Sequence, residues 1–126
     1  MKIEPEHLVA LAIEMRERAY APYSNYAVGA AVLTREGDTF EGCNVENASY
    51  GLTVCAERAA LFAAVAAGRR RIAAIAVASG PGASMCGACR QVLREFADDE
   101  TRVFLAAADG TFRERRVDEL LPDPFT

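Results

Sequence analysis

The sequence predicts an α/β fold, an α-β-α three-layer sandwich in which helices cover both faces of a mixed five-stranded sheet. Helical and strand-like segments alternate along the chain in the order α-β-β-α-β-α-β-β. Two strand–helix–strand connections surround apolar helices, which favours a sheet with parallel strands. The 126 residues are 52% hydrophobic and 25% charged, as is typical of one globular unit, so we expect a single domain over 1–126.

The N-terminal half predicts one helix and one hairpin. Apolar residues recur at helical spacing over 6–20 with charged residues on the other faces, which indicates an amphipathic helix. Residues 26–33 are apolar, and 39–43 return as a second strand after the polar turn 35–38, which is typical of a hairpin. The stretch 44–53 is polar and irregular.

The C-terminal half alternates helices with strands. An alanine-rich helix is predicted over 55–67, and Gly68 is a natural helix C-cap. This helix carries little charge beyond its first turn, so we expect it to be buried on most sides, with other subunits covering it in part. The remaining elements are a buried strand, a helix, two strands around the Asp109-Gly110 turn and a last helical turn, predicted over 72–78, 87–97, 103–107, 111–117 and 118–121.

Charge and composition exclude several classes of partner. The formal net charge is -4, which opposes binding to phosphate backbones, so we interpret Arg69-Arg70-Arg71 as a solvated cluster and expect no nucleic-acid partner. No apolar run approaches the roughly 18 residues of a membrane span, and the first residues lack a signal-peptide core. We therefore expect a cytoplasmic protein with no membrane partner. Thiols stay reduced there, so the four cysteines favour metal ligands, catalytic thiols or core residues over disulfides.

Three cysteines form a possible metal-binding pattern. Cys86-Gly87-Ala88-Cys89 is a Cys-x-x-Cys at a helix start, a spacing found in zinc sites, redox pairs and pairs of core cysteines. Cys55 starts the other helix, so three thiolates could bind one Zn²⁺ and leave its fourth position open, as in catalytic zinc sites. Helix N-termini also favour the thiolate form. We interpret the fourth cysteine, Cys43, as a buried and inert thiol.

Charged residues accompany these cysteines. Glu57 can face the open metal position and move protons there, or it can simply complement the helix dipole as a first-turn acid. Three thiolates on Zn²⁺ leave a net negative charge, which Arg58 or Arg90 could offset by donating a hydrogen bond to a sulfur. Either arginine could equally be a surface residue. His7, the only histidine, is interpreted as solvated, so a zinc site here must be all-sulfur.

Together these residues resemble a known family. Cys55-Ala56-Glu57-Arg58 followed by 86–91 is similar to the small homotetrameric zinc-dependent cytidine deaminases. The similarity continues through four more segments, 20–26, 28–31, 42–48 and 119–122 with Phe125. It implies a cytidine deaminase-like fold, one Zn²⁺ per subunit, and a homotetramer with shared active sites. It also implies hydrolytic deamination of cytidine and 2′-deoxycytidine to uridine and 2′-deoxyuridine with release of ammonia, a step of pyrimidine salvage.

The resemblance also implies the role of each site residue. Cys55, Cys86 and Cys89 would bind the zinc, Glu57 would be the catalytic proton carrier, and Arg58 would support the thiolates. Asn44 and Glu46 lie two apart at a strand end and so share a face, and they would hold the ribose 3′-hydroxyl. The other implied substrate contacts are Tyr26 on the pyrimidine, the N–H of Ala56 on its O2, and Tyr50 and Phe125, which would reach a neighbouring subunit's pocket.

Two departures from the family pattern keep alternatives open. Tyr26 opens the first predicted strand where the family usually has Phe, and Met85 replaces a Pro that would pre-set the backbone before the helix. These departures leave a related substrate, blasticidin S, open, whereas Asn44 with Glu46 favours a free nucleoside. A second alternative is a non-catalytic, zinc-stabilised binding domain. That protein would need a fourth ligand, for which Cys43 is the only candidate thiol.

Overall fold

A computed structural model describes residues 1–126 and confirms the predicted α-β-α sandwich. The elements in chain order are α1 (Pro5–Met15), β1 (Gly29–Thr34), β2 (Thr39–Cys43), α2 (Ala56–Ala66), β3 (Ile72–Ala78), α3 (Gly87–Phe96), β4 (Arg102–Ala106), β5 (Phe112–Arg116) and α4 (Val117–Leu120). The sheet order is β2-β1-β3-β4-β5. Only β3 and β4 are parallel neighbours, and the other pairs are antiparallel, so the sheet is mixed.

Each face of the sheet has its own hydrophobic core. The central strand β3 is buried along its whole length, which explains its unbroken apolar sequence. On one face, α1 packs Leu8 and Ala12 against small residues of β1 and β3 and against Phe104. On the other face, α2 and α3 contribute Leu61 and Leu93 to a larger core. None of the helices has the length and apolarity needed to cross a membrane.

The first helix is shorter than predicted. It was expected over 6–20, but α1 ends at Met15, and a single 3₁₀ turn follows at Arg16–Arg18. The chain is then extended, because the backbone of Tyr20 pairs with the segment that follows β2. The N–H of Tyr20 donates to the carbonyl of Asn44 (3.0 Å), and the carbonyl of Tyr20 accepts from the N–H of Glu46 (2.8 Å). Long-range pairing therefore overrides a local helical pattern.

The first strand starts three residues later than predicted, at Gly29 rather than at Tyr26. A Cβ atom on Gly29 would lie 2.0 Å from the carbonyl oxygen of Ala12, so only glycine lets the strand cross the end of α1 at this distance. The preceding residues do not join the sheet ladder. Tyr26 consequently lies in a loop, not at the opening of a strand, and this part of the prediction was wrong.

Helix α2 ends where the sequence predicts and leaves one face open. Gly68 has a φ of 84° and donates its N–H to the carbonyl of Val65 (2.9 Å), while the N–H of Arg69 reaches the carbonyl of Ala64 (2.9 Å). This pair of bonds is the Schellman C-cap. The face opposite the sheet is uncovered in the single chain, where Phe62 is 51% exposed.

Candidate metal centre and active site

Two helices begin side by side with a cysteine at the N-cap position. Cys55 caps α2 and Cys86 caps α3, both with extended backbone angles. The N–H of Cys89, in the first turn of α3, donates to the sulfur of Cys86 (3.4 Å). Both N-cap sulfurs therefore lie at the positive end of a helix dipole, and α3 binds the Cys86 sulfur directly.

The three sulfurs are spaced for one tetrahedral metal ion. The Sγ atoms of Cys55, Cys86 and Cys89 all lie within 4.8 Å of one another, and those of Cys55 and Cys86 are 3.7 Å apart. A tetrahedral Zn²⁺ with Zn–S bonds of about 2.3 Å separates its sulfur ligands by about 3.8 Å. The thiol set therefore fits zinc, with three protein ligands and a fourth position free for solvent or substrate.

Cys43 does not belong to this cluster. Its thiol donates to the carbonyl of Arg18 (3.4 Å), and the residue is half-buried, not fully buried as predicted. The alternative of a closed, non-catalytic zinc site needs a fourth protein ligand, and the only ligand atoms that converge here are the sulfurs of Cys55, Cys86 and Cys89. The arrangement is that of an open metal site.

Hydrogen bonds among the thiols, and from Arg58, change the pKa values of the cysteines. The pKa of Cys55 falls to about 5, first because the Cys89 thiol donates a hydrogen bond to it and then because Arg58 and Cys86 do the same. The pKa of Cys89 rises, mainly because it keeps the proton of that shared bond and because it is buried. Arg58 Nη2 lies 3.3 Å from the Cys55 sulfur. The guanidinium thus offsets part of the thiolate charge.

The two arginines considered for this role have different partners. Arg90 contacts no sulfur, because it donates to the carbonyls of Met85 and Leu120 (both 2.7 Å) and to the Ser84 hydroxyl (2.9 Å). It joins the segment before α3 to the end of α4. Met85 is buried, and its carbonyl is held by Arg90, so the backbone entering α3 is restrained without a proline at this position.

A cleft of about 190 Å³ opens beside the cysteines. Glu57 lines it and is only 4% exposed, and this burial raises the pKa of its carboxyl group. Its other lining residues are Tyr26, Val28, Asn44, Thr53, Cys55, Ala56, Val77, Ser79, Ala83, Ser84 and Cys86. A larger groove of about 460 Å³ lies beside α1, but its lining is mostly charged and includes no cysteine.

Asn44 and Glu46 both contact the segment that precedes β1. The Asn44 amide accepts from the N–H of Val28 (2.9 Å) and donates to the carbonyl of Tyr26 (2.8 Å). The Glu46 carboxylate accepts from the N–H groups of Tyr23 (2.9 Å) and Ser24 (3.1 Å) and from the Ser24 hydroxyl. Both side chains therefore point towards 23–28, in keeping with their spacing of two.

Tyr50 and Phe125 do not line the cleft of their own chain. They are 75% and 86% exposed, respectively. Tyr50 packs edge-on against Tyr23, with ring centroids 5.9 Å apart. The backbone of Phe125 is held by the Gln91 side chain, whose amide donates to its carbonyl (2.8 Å) and accepts from its N–H (3.2 Å).

Sequence reasoning missed several residues that shape this site. Ser79 follows β3, and its hydroxyl accepts from the N–H groups of Gly82 (3.0 Å) and Ala83 (2.9 Å), which fixes one wall of the cleft. A serine before a Gly-Pro-Gly loop is a common turn signal, and it could have indicated this. The bonds from Gln91 to Phe125 had no such signal, because 34 residues separate the partners.

Comparison with known proteins gives consistent matches. Residues 2–106 match the family model for the cytidine and deoxycytidylate deaminase zinc-binding region. The chain is 48% identical over 126 residues to the cytidine deaminase of Halalkalibacterium halodurans, covering 98% of this chain and 96% of that one. The crystal structure of cytidine deaminase from Burkholderia pseudomallei superposes with a TM-score of 0.93 at 50% identity, over 98% of this chain and 100% of that one. The crystal structure of the Mycobacterium tuberculosis cytidine deaminase gives 0.87 at 42% identity, over 99% of each chain.

Proposed function

Because this chain belongs to the cytidine and deoxycytidylate deaminase family, we propose that it catalyses zinc-dependent hydrolytic deamination of cytidine and 2′-deoxycytidine. The products are uridine or 2′-deoxyuridine and ammonia. One observation carries the proposal: a buried carboxyl group, Glu57, lines the same cleft as two of three convergent cysteines. Hydrolytic deamination of a nucleobase requires a zinc ion with an open position to activate water and a nearby acid to transfer protons.

Cys55, Cys86 and Cys89 would hold one Zn²⁺ ion. When bound, zinc supplies a nucleophilic water by lowering the water's pKa towards neutrality. Glu57 would carry one proton from the attacking water to N3 of the pyrimidine, which makes C4 electrophilic. The hydroxyl group of that water would add to C4. Glu57 would then move the remaining proton of this oxygen to the amino nitrogen, and the C4–N bond would break to release ammonia and leave the C4 carbonyl. Arg58 limits the charge that the thiolates place on the metal.

The substrate contacts are assigned by the same proposal. Ala56 is the first residue of α2, and its N–H has no partner within the helix, so it is free to donate to the pyrimidine O2. Tyr26 stacks on the base from the cleft wall. Asn44 and Glu46 hold the ribose 3′-hydroxyl with their amide and carboxylate groups.

The proposed assembly is a homotetramer with active sites shared between subunits. Tyr50 and Phe125 are exposed and lie outside the cleft of their own chain, which supports a role in a neighbour's cleft. The open apolar face of α2 supports contact with another subunit. Three thiols must stay reduced to bind zinc, which supports a cytoplasmic location. The proposed conversion of one free nucleoside into another supports a place in pyrimidine salvage.

The test is loss of cytidine absorbance in the presence of the purified protein, with and without a zinc chelator. We expect turnover that the chelator abolishes and added zinc restores. Blasticidin S is assayed in parallel as the alternative substrate. We expect turnover of cytidine rather than of the antibiotic, because the similar proteins are cytidine deaminases. A zinc-loaded protein that leaves cytidine and 2′-deoxycytidine unchanged would refute the proposed function.

A further inference from the structure

The Ser24 hydroxyl contacts two parts of the site. It donates a hydrogen bond to the Glu46 carboxylate and accepts one from the N–H of Tyr26 (3.0 Å). Glu46 is one of the two residues assigned to the sugar, and Tyr26 is the residue assigned to the base. Ser24 therefore bridges the Glu46 carboxylate and the backbone of Tyr26, next to the direct bond from Asn44 to Tyr26.

The backbone of Tyr26 is held on both sides by side chains. Its N–H donates to Ser24, and its carbonyl accepts from the Asn44 amide (2.8 Å). Neither group takes part in the sheet ladder, because β1 starts only at Gly29. The position of the Tyr26 ring in the cleft therefore depends on Ser24 and Asn44 rather than on strand pairing.

The orientation of the Glu46 carboxylate also depends on this segment. One carboxylate oxygen accepts the N–H groups of Tyr23 and Ser24, and the other accepts the Ser24 hydroxyl. The Ser24 hydroxyl is also the main reason why the pKa of Glu46 lies below its usual range, so the group stays ionised. An oxygen that has accepted one hydrogen bond keeps a lone pair for another donor, such as a sugar hydroxyl.

The turn geometry permits this double contact. Asn25, between the two partners, has a φ of 57°, in the left-handed region that asparagine tolerates better than most residues. A serine hydroxyl that bonds the N–H two residues later is also an ordinary turn motif. The additional bond to Glu46, which is 22 residues away, is what links this turn to the substrate.

We propose that Ser24 is a positioning residue for sugar recognition. It fixes the Glu46 carboxylate relative to Tyr26, so that both can contact a nucleoside that carries a 3′-hydroxyl. The inference rests on the proposed function, since it assumes that cytidine is the substrate. Ser24 acts through Glu46 and Tyr26 and takes no part in the proton transfers at Glu57. Its loss should therefore affect binding of the sugar and leave the chemical step unchanged.

The experiment compares Ser24→Ala with Ser24→Thr, which retains a hydroxyl, and with Ser49→Ala, a matched change at an exposed serine. KM and kcat are measured for cytidine and for 2′,3′-dideoxycytidine, which lacks the 3′-hydroxyl. We expect Ser24→Ala to raise KM for cytidine about fivefold to tenfold, the size of the net contribution of one ordinary hydrogen bond. We expect kcat to stay within about twofold, and the KM for the dideoxy substrate, which keeps only the contact with Tyr26, to rise less than the KM for cytidine. Ser24→Thr should restore most of the loss, and Ser49→Ala should match wild type.

Amide hydrogen exchange gives a readout that does not depend on activity. The only partner of the Tyr26 N–H in the folded chain is Ser24, so Ser24→Ala should speed exchange at Tyr26, and Ser24→Thr should not. An equal rise in KM for both substrates, a fall in kcat, an unchanged KM for cytidine, or a large drop in melting temperature would overturn the proposal. A wild-type protein without activity on cytidine would instead refute the proposed function itself.

Discussion

Gly42 sets how closely the helix that carries the site packs on the sheet. It lies in β2 opposite Ala30 and faces α2. A Cβ atom at this position would lie 2.5 Å from the backbone nitrogen of Ala60 and 2.6 Å from the carbonyl oxygen of Ala56. Both are backbone atoms, so no side-chain rotation can relieve the clash. The substitution Gly42→Ala must therefore move α2 away from β2.

The size of the effect follows from those distances. Ordinary contact starts near 3.4 Å, so the helix has to retreat by about 0.8–0.9 Å. Overpacking of this kind costs about 1–3 kcal/mol of unfolding free energy. Ala56 is also the residue between Cys55 and Glu57, so the shift displaces the first turn of α2 in the cleft. Misplacement of catalytic groups by about 1 Å lowers rates on the order of 100-fold.

We therefore expect Gly42→Ala to lose about 1–3 kcal/mol in urea unfolding and on the order of 100-fold in kcat/KM for cytidine. The matched control is Gly51→Ala, because a Cβ atom there meets no atom within 4 Å. The control should stay within about 0.5 kcal/mol and about twofold of wild type. If Gly42→Ala also matched wild type in both measurements, the idea that this contact sets the position of α2 would be wrong.

Four further changes test the site and its support. Glu57→Gln should lower kcat by about 10²–10⁴-fold with unchanged zinc content, and retention of near-wild-type turnover would contradict the proton-carrying role. Arg58→Gln should lower activity about 10- to 100-fold, measured at confirmed zinc occupancy, because the Cys55 sulfur loses its charged donor, and an unchanged rate would exclude that role. Removing zinc should abolish activity and lower the melting temperature, because the metal joins the starts of α2 and α3, and both effects should reverse on adding zinc. Leu61→Ala, at a fully buried position, should cost about 2–5 kcal/mol in chemical unfolding, and a loss below about 1 kcal/mol would contradict its place in the core.

Most elements were predictable because their signals are local. The predicted β2 and β3 coincide with the observed strands Thr39–Cys43 and Ile72–Ala78, and α3 differs by one residue at its end. The exceptions lie on either side of the loop at 19–28. In the sequence, the helical pattern of α1 continues past Met15, and the apolar pattern of β1 starts before Gly29. In the structure, the chain becomes extended at Tyr20, because the backbone of Tyr20 pairs with the segment after β2.

The candidate site was predictable in its chemistry but not in its contacts. Cys55, Cys86 and Cys89 at two helix starts, with Glu57 beside one of them, already indicated an open zinc site. Which arginine contacts a thiol was left open by the sequence, because Arg58 and Arg90 each follow a cysteine closely. The structure assigns this contact to Arg58, since the guanidinium of Arg90 is occupied by two carbonyls and a hydroxyl.

Residue types and their periodicity by themselves determined the order of helices and strands, the placement of cysteines at two helix starts and the position of an acid beside one of them. These properties depend on interactions within a few residues along the chain. Only the tertiary structure decided that sulfurs 31 residues apart lie 3.7 Å from each other, and that Ser24, Asn44 and Glu46 together hold the loop that carries Tyr26. Such contacts arise because the sheet brings distant segments together, and sequence spacing contains no direct record of that geometry.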